Sequence, residues 1–246
     1  MNLVIDIGNT SCKVAVYDGL RLVSLQRFED PSDLQAKAGE GYDTIVLASV
    51  RNDDPSLRAT LAHRCRRFID FNVDFVRDMV ERGPEIYQYL RNMPDGMGAD
   101  RMAAILQAAI LYPQEDLMVF DFGTATTVEF IDKGYYIGGA ISLGLNMRYR
   151  ALSHFTGKIP LCEPQTVLAK GDINTISPVG YDLDTALASG NILGIKFEIE
   201  GYMHAHPHRK VILTGGDAKV FAAGLDGDVN VEENLVLDGL AAVAMQ

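Results

Sequence analysis

The chain predicts an α/β protein made of two duplicated domains with a ligand cleft between them, and three observations lead there. Two stretches read as copies of one device: Leu3-Val4-Ile5-Asp6-Ile7-Gly8-Asn9-Thr10 and Met118-Val119-Phe120-Asp121-Phe122-Gly123-Thr124-Ala125. After each, two further short strands precede alternating helices and strands, so one order of elements runs twice. At 246 residues and 48% hydrophobic content, the chain can also bury the core that two small domains require. The expected domains are residues 1–115 and 116–246.

In the first half, strands are expected at 3–7, 12–17 and 21–28, with Asp18-Gly19 as the hairpin turn. A polar helical stretch follows Pro31, then a strand at Thr44–Ala48. A basic helix is expected from Ser56 to Phe68, and a short apolar strand near Phe71–Phe75. Pro84 and Pro94 punctuate a loop-rich segment. A periodic helix opens after Gly98 and runs to about Tyr112, where Pro113 stops it. The second half predicts strands at 117–121, 126–131 and 135–141, then helices, a strand at Val211–Leu213, and a terminal helix ending in Leu240–Ala244.

The chemistry of the repeated device follows from its residue types. A carboxylate at the end of a buried strand is costly unless something cationic meets it. The glycine two residues later allows close backbone approach, and a tight turn there aims N–H groups at an anion. Asp and Gly also favour turns for purely structural reasons, so one copy alone would mean little. Two copies with matching flanks imply a grip on a nucleotide's phosphates and metal, as in a phosphotransferase or ATPase. The Gly-x-x-x-x-Gly-Lys-Ser/Thr phosphate loop is missing from the sequence, and Gly96-x-Gly98 follows a loop rather than a strand, unlike a dinucleotide fingerprint.

Composition narrows the classes further. A net charge of −11 argues against nucleic-acid binding and against docking on anionic membrane. No apolar run reaches the roughly 18 residues of a membrane span. Cys12, Cys65 and Cys162 are widely spaced and read as reduced thiols in the cytoplasm, and the immediate strand at Leu3 leaves no targeting segment. Arg64, Arg66 and Arg67 read as a solvated helix face, and His204, His206 and His208 as a surface turn rather than a metal site.

Asp6-Ile7-Gly8-Asn9-Thr10 through Lys13, Gly98-Ala99-Asp100-Arg101, Asp121-Phe122-Gly123-Thr124, Gly138-Gly139-Ala140-Ile141 and Thr214-Gly215-Gly216 together resemble the ordered motifs of type III pantothenate kinases. That family belongs to the actin-like, sugar-kinase and heat-shock ATPase superfamily, so the resemblance implies two ribonuclease-H-like domains. It further implies ATP-dependent phosphorylation of the 4′-hydroxyl of pantothenate, the first step toward coenzyme A, by a homodimer with ATP, Mg²⁺ and a monovalent cation (K⁺ or NH₄⁺). By this resemblance Asp6, Ile7, Gly8, Asn9, Thr10, Ser11, Cys12, Lys13 and Thr124 bind ATP, and Asp6 also holds Mg²⁺. Lys13 facing the ligand and Lys13 as an exposed strand lysine both fit its parity. Gly98, Ala99, Asp100 and Arg101 bind substrate, with Asp100 as the general base and Arg101 suited to the pantothenate carboxylate. Asp100 in the first turn of a helix also fits a simple capping role. Asp121 matches the monovalent-cation site, and Gly215 and Gly216 let the adenine or ribose pack on bare backbone.

Three departures from the family pattern concern the substrate pocket: Arg91 stands where a Tyr is usual, with Tyr89 two positions off as an open substitute, Leu143 where a Pro is usual, and Leu183 where a substrate-contacting Thr is expected. Thr185 is the nearby hydroxyl, two helical residues and about 200° away. Arg148 and Arg150 could face the cleft or a partner. Met102, Ile105 and Ile110 are candidates for a dimer face on the helix after Gly98. Two alternatives remain open: another small-molecule kinase of the superfamily, and a non-catalytic regulatory homologue.

Overall fold

The structure is a computed structural model that describes residues 1–29, 39–51, 54–168 and 172–246. The helical stretch expected after Pro31 falls largely outside these residues. Two five-stranded sheets organise the chain. The first comprises β1 (Asn2–Ile7), β2 (Cys12–Asp18), β3 (Arg21–Phe28), β4 (Tyr42–Ser49) and β5 (Cys65–Asp70), in the order β3-β2-β1-β4-β5. The second comprises β6 (Leu117–Phe122), β7 (Ala125–Asp132), β8 (Tyr135–Leu143), β9 (Lys210–Gly215) and β10 (Val229–Val231), in the order β10-β9-β6-β7-β8. Read from the opposite edge, the second order repeats the first strand for strand. The duplication inferred from the paired aspartates is therefore a duplication of topology.

Sequence explains why β1 takes the centre of its sheet. All six of its residues are buried, and it pairs antiparallel with β2 and parallel with β4. A strand buried on both faces needs a continuous apolar run. Leu3, Val4 and Ile5 supply it, each contributing about 1.5–3 kcal/mol by leaving water. Outward from β1 the patterns become more polar, and the edge strand β3 is exposed over most of its length. Because β1 and β4 run side by side in the same direction, the residues just beyond their carboxyl ends emerge together.

The helices that concern the site are α1 (Pro55–Ala62), α2 (Val73–Arg82) and α3 (Ala99–Leu111). Later come α4 (Leu145–Phe155), α5 (Leu183–Ala188), α6 (Gly194–Ala205), α7 (Ala218–Gly224) and α8 (Leu235–Ala244). A π-helical turn, Ser189–Leu193, joins α5 to α6. Helices α3 and α8 approach closely at Gly239, where an added Cβ would lie 2.2 Å from the Ala103 carbonyl oxygen. By contact the chain groups into one unit of Met1–Gln114, Ile131–Ile137 and Asn234–Gln246, and another of Glu115–Phe130 and Gly138–Glu233. This grouping places the terminal helix with the first unit, where the expected halves had it in the second.

Several expectations change. The basic helix expected over Ser56–Phe68 ends at Ala62, and Cys65–Asp70 is strand β5, parallel to β4. The strand expected at Phe71–Phe75 is instead the start of α2, capped by the Asn72 side chain accepting the Phe75 N–H at 2.9 Å. Arg66 and Arg67 therefore stand on an edge strand. Arg67 donates to the Ala244 carbonyl at 2.6 Å, a cation at the carboxyl end of α8 where the helix dipole favours it. Met102 and Ile105 are wholly buried within their own unit, so they cannot form a partner surface, whereas Ile110 is partly exposed. Among the described residues, no helix is long and apolar enough to cross a membrane.

Candidate active site

Asp6 sits one residue before the end of β1, 7% exposed, directly opposite Lys13 in the β1–β2 register. The Lys13 ammonium lies 3.9 Å from its carboxylate, so the cation that a buried strand-end aspartate requires comes from the adjacent strand. Between them the chain turns through Gly8, Asn9, Thr10 and Ser11, closed by the Gly8 N–H donating to the Ser11 carbonyl at 3.0 Å. Gly8 fits here because a Cβ would stand only 3.2 Å from that same oxygen. Asn9 and Thr10 are exposed at the tip. Ile7 and Cys12 point into the core, so only their backbones can meet a ligand. Burial, with the Asp6 charge adding to it, pushes the Cys12 thiol up to about 12, and Arg51 opposes the shift. That thiol is a neutral packing group.

The sequence reading missed Arg51. Beyond the paired ends of β1 and β4, the Val50 N–H donates to the Ile7 carbonyl at 3.0 Å. The Arg51 guanidinium then takes the next two carbonyls, with Nε to Gly8 at 2.8 Å and Nη2 to Asn9 at 3.1 Å. Its backbone N–H donates to the Ser49 hydroxyl at 3.2 Å. Arg51 also lines a cavity of about 510 Å³ with Ser49, Val50, Asp74, Gly98 and Ala99. One signal could have found it, since ligand sites in open α/β sheets gather just past the carboxyl ends of parallel strands, and Arg51 follows the strand ending at Ser49.

Gly98 and Ala99 of the substrate motif line that cavity too. Gly98 is the N-cap of α3 and Asp100 lies in its first turn. The Asp100 carboxylate accepts the Arg101 N–H at 2.8 Å and folds back over Gly98, where a Cβ would stand 2.5 Å from its Oδ1. The glycine therefore makes room for the carboxylate. Arg101 donates through Nη2 to the Tyr136 hydroxyl at 3.4 Å. Arg91 lies over the Tyr135 ring at 4.1 Å from its centre, and Tyr89 packs against Gly134, so both side chains brace the β7–β8 turn. Among the residues predicted from sequence, the turn Gly8–Ser11 and the Gly98–Ala99 wall are thus linked through Arg51.

The second unit carries the other copy. Asp121, at the penultimate position of β6, pairs with Thr214 on β9, and Phe122 with Gly215. Gly215 has φ +91°, and a Cβ there would meet Asp121 Oδ1 at 2.5 Å and the Phe122 backbone at 2.6 Å. The Gly216 N–H donates to the Phe122 carbonyl at 3.0 Å. The turn closes with the Gly123 N–H on the Ala125 carbonyl, and the Gly144 N–H donates to the Thr124 carbonyl at 3.2 Å. Asp217 begins α7, and burial raises its carboxyl above the usual range. Leu183, 44% exposed, opens α5, and the Thr185 hydroxyl is tied to Asp182 in a capping box. That hydroxyl accepts the N–H groups of Tyr181 and Asp182, so it does not replace the missing Thr. Arg148, left open by the sequence, pairs with Glu198 and donates to the Leu143 carbonyl.

Two five-stranded sheets of matching order, each with an aspartate one residue before the end of its central strand, define a two-domain α/β protein with a duplicated fold. Solved structures agree at the level of the fold. A Baf-family transcriptional-activator candidate from Campylobacter jejuni superposes with TM-score 0.66 at 20% identity, covering 98% of this chain and 96% of that one. A 2-dehydro-3-deoxygalactonokinase candidate from Sinorhizobium meliloti gives 0.56 at 14% identity, covering 99% and 98%. The family model for type III pantothenate kinase matches residues 2–205. A type III pantothenate kinase of Phocaeicola vulgatus is 36% identical over 98% of this chain and 96% of its own length. The chain belongs to the type III pantothenate kinase family.

Proposed function

We propose that this chain transfers the γ-phosphoryl group of ATP to the 4′-hydroxyl of pantothenate, yielding 4′-phosphopantothenate and ADP on the route to coenzyme A. The observation that carries the reading is the Asp100 carboxylate held over Gly98, which lines one cavity with Arg51, the residue that grips the Gly8–Ser11 turn. Asp100 accepts the proton of the substrate hydroxyl as its oxygen bonds to the γ-phosphorus and the bond to the ADP oxygen breaks. Arg101, a planar fork beside it, binds the pantothenate carboxylate. Asn9, Thr10 and the backbone of the turn from Asp6 to Lys13 hold phosphate oxygens in the first unit. In the second unit, Thr124 contacts ATP, and Gly215 and Gly216 offer bare backbone to its nucleoside.

The donor sets suit the expected ions. Mg²⁺ is usually held by one or two carboxylates plus phosphate oxygens, and Asp6 supplies one carboxylate at a strand end. When bound, Mg²⁺ would neutralise phosphate charge alongside Lys13. Asp121, beside Phe122 and Gly215, offers carboxylate oxygen, a ligand type that suits K⁺ or NH₄⁺. The enzyme works in the cytoplasm as a homodimer of two-domain chains. The exposed Ile141 and Leu143 on one face of β8 favour burial against a second copy. An assay coupled to ADP formation, with pantothenate or K⁺ omitted in turn, tests the reading. Turnover should require pantothenate, and Asp100→Asn should abolish it while ATP still binds.

A second reading, nucleotide binding without turnover in a regulatory homologue, draws on the exposed Leu183 and the committed Thr185 hydroxyl. Nucleotide binding in the same preparation without pantothenate-dependent ADP release would favour it.

A further inference from the structure

The kinase reading leaves Arg51 without a role, yet its guanidinium holds two consecutive carbonyls of the phosphate turn. Strands β1 and β4 pair up to Ile7 and Ser49, and the Val50 N–H extends the ladder by one bond to the Ile7 carbonyl. Past that point the chain has left the strand register, and the Arg51 side chain continues the ladder, taking the Gly8 and Asn9 carbonyls at 2.8 and 3.1 Å. A planar trans peptide points its C=O and N–H in opposite directions. Fixing the Gly8 and Asn9 carbonyls toward Arg51 therefore fixes the N–H groups of Asn9 and Thr10 toward the other side of the turn. Those are the amides expected to meet an anion.

Resting on the kinase reading, we propose that Arg51 is a positioning residue of the nucleotide site: its two-pronged grip on consecutive carbonyls presets the Asn9 and Thr10 amides for the phosphate chain of ATP. Charge alone would not do this. A lysine ammonium offers no planar fork, so it would keep the charge and lose the paired geometry. Pre-setting matters because peptide planes free to rotate must be ordered when the ligand arrives, which weakens binding. Arg51 also stands in the cavity wall with Gly98 and Ala99, but the inference concerns ATP, so pantothenate affinity should be nearly untouched.

The test compares wild type, Arg51→Lys and Arg51→Gln in the full chain. Three quantities are read: the dissociation constant for ATP by titration calorimetry, the KM for ATP and for pantothenate, and the thermal unfolding midpoint. Both variants should weaken ATP binding about tenfold, because each loses the paired fork that presets the turn. They should agree within about twofold, leave the pantothenate KM within about twofold, and unfold within about 5 °C of wild type. Methylguanidinium added to an Arg51→Ala variant should restore ATP affinity, and methylammonium should not. Near-wild-type ATP affinity in Arg51→Lys would overturn the proposal, as would equal losses for ATP and pantothenate. Direct ATP binding keeps the two claims apart: if wild type binds ATP but does not phosphorylate pantothenate, the kinase reading fails while Arg51 is still tested.

Discussion

Replacing Gly98 by Ala should separate stability from activity. Gly98 has φ −62° and ψ 143°, a conformation any residue adopts, so the alanine backbone is unstrained. On that account alone the variant should gain about 0.4–1 kcal/mol, because the unfolded chain has fewer states to lose. The new methyl carbon would meet Val50 Cγ1 at 3.6 Å, an ordinary contact. It would also stand 2.5 Å from Asp100 Oδ1. Restoring normal van der Waals spacing moves the carboxylate by about 1 Å. Misplacing a reacting group by that much costs about 100-fold in rate, within the range of about 10²–10⁴ that a general base contributes. The prediction is therefore a kcat about 100-fold lower, with a thermal midpoint equal to or slightly above that of wild type. The coupled ADP assay at saturating ATP and pantothenate reads the first, and a melting curve the second. Activity within twofold of wild type would refute the placement of Asp100 as base. A midpoint more than a few degrees lower would show that the strain reaches the backbone instead.

Three other outcomes follow from the geometry. Gly215→Ala should cost more than about 2 kcal/mol by urea denaturation, since its φ of +91° and its contacts with the Phe122 backbone leave nothing flexible to yield. Burial raises the phenols of Tyr87 and Tyr149 from 10.0 to about 12, and burial followed by the Asp238 hydrogen bond raises that of Tyr17 further. Their stability contribution is whole below the unfolded value near pH 10 and is lost as pH rises through 12, so the urea midpoint should fall over that window, and less steeply in Tyr17→Phe. Iodoacetamide at pH 8 should leave Cys12 unlabelled in the native protein and label it once the chain is unfolded, because the thiol is both buried and neutral.

Much of the fold could be read from the chain because its signals were local and repeated. The central strands, their Asp-x-Gly exits and the helix after Gly98 all lie within a residue or two of where apolar runs and turn residues put them. The region after α1 could not be read in that way. Arg64-Cys65-Arg66-Arg67 has no apolar alternation, because β5 is an edge strand in which Ile69 alone is buried. Its pairing comes from β4, far off in sequence. Arg51 was invisible for the same reason: its partners, Gly8 and Asn9, become neighbours only once β1 and β4 lie side by side.

The two aspartates are copies in position but differ in setting, and the difference bears on their proposed roles. Seven residues after Asp6 comes Lys13, facing it across the β1–β2 pair, whereas seven residues after Asp121 comes Val128, buried in the core. Lys13 can share in balancing phosphate charge, so the Asp6 device suits a site where carboxylate, ammonium and a Mg²⁺–phosphate complex offset one another. The Asp121 carboxylate instead lies against the strand pair of Phe122 and Gly215, where a Gly215 Cβ would meet its Oδ1 at 2.5 Å. A single carboxylate ligand matches a singly charged cation better than a doubly charged one, whose stronger hydration asks for more than one negative ligand. If the roles follow the settings, Lys13→Met should weaken ATP binding at any K⁺ concentration, and Asp121→Asn should chiefly raise the K⁺ needed for half-maximal turnover. Equal K⁺ dependence in the two variants would show that the flanking residues do not set the division of labour.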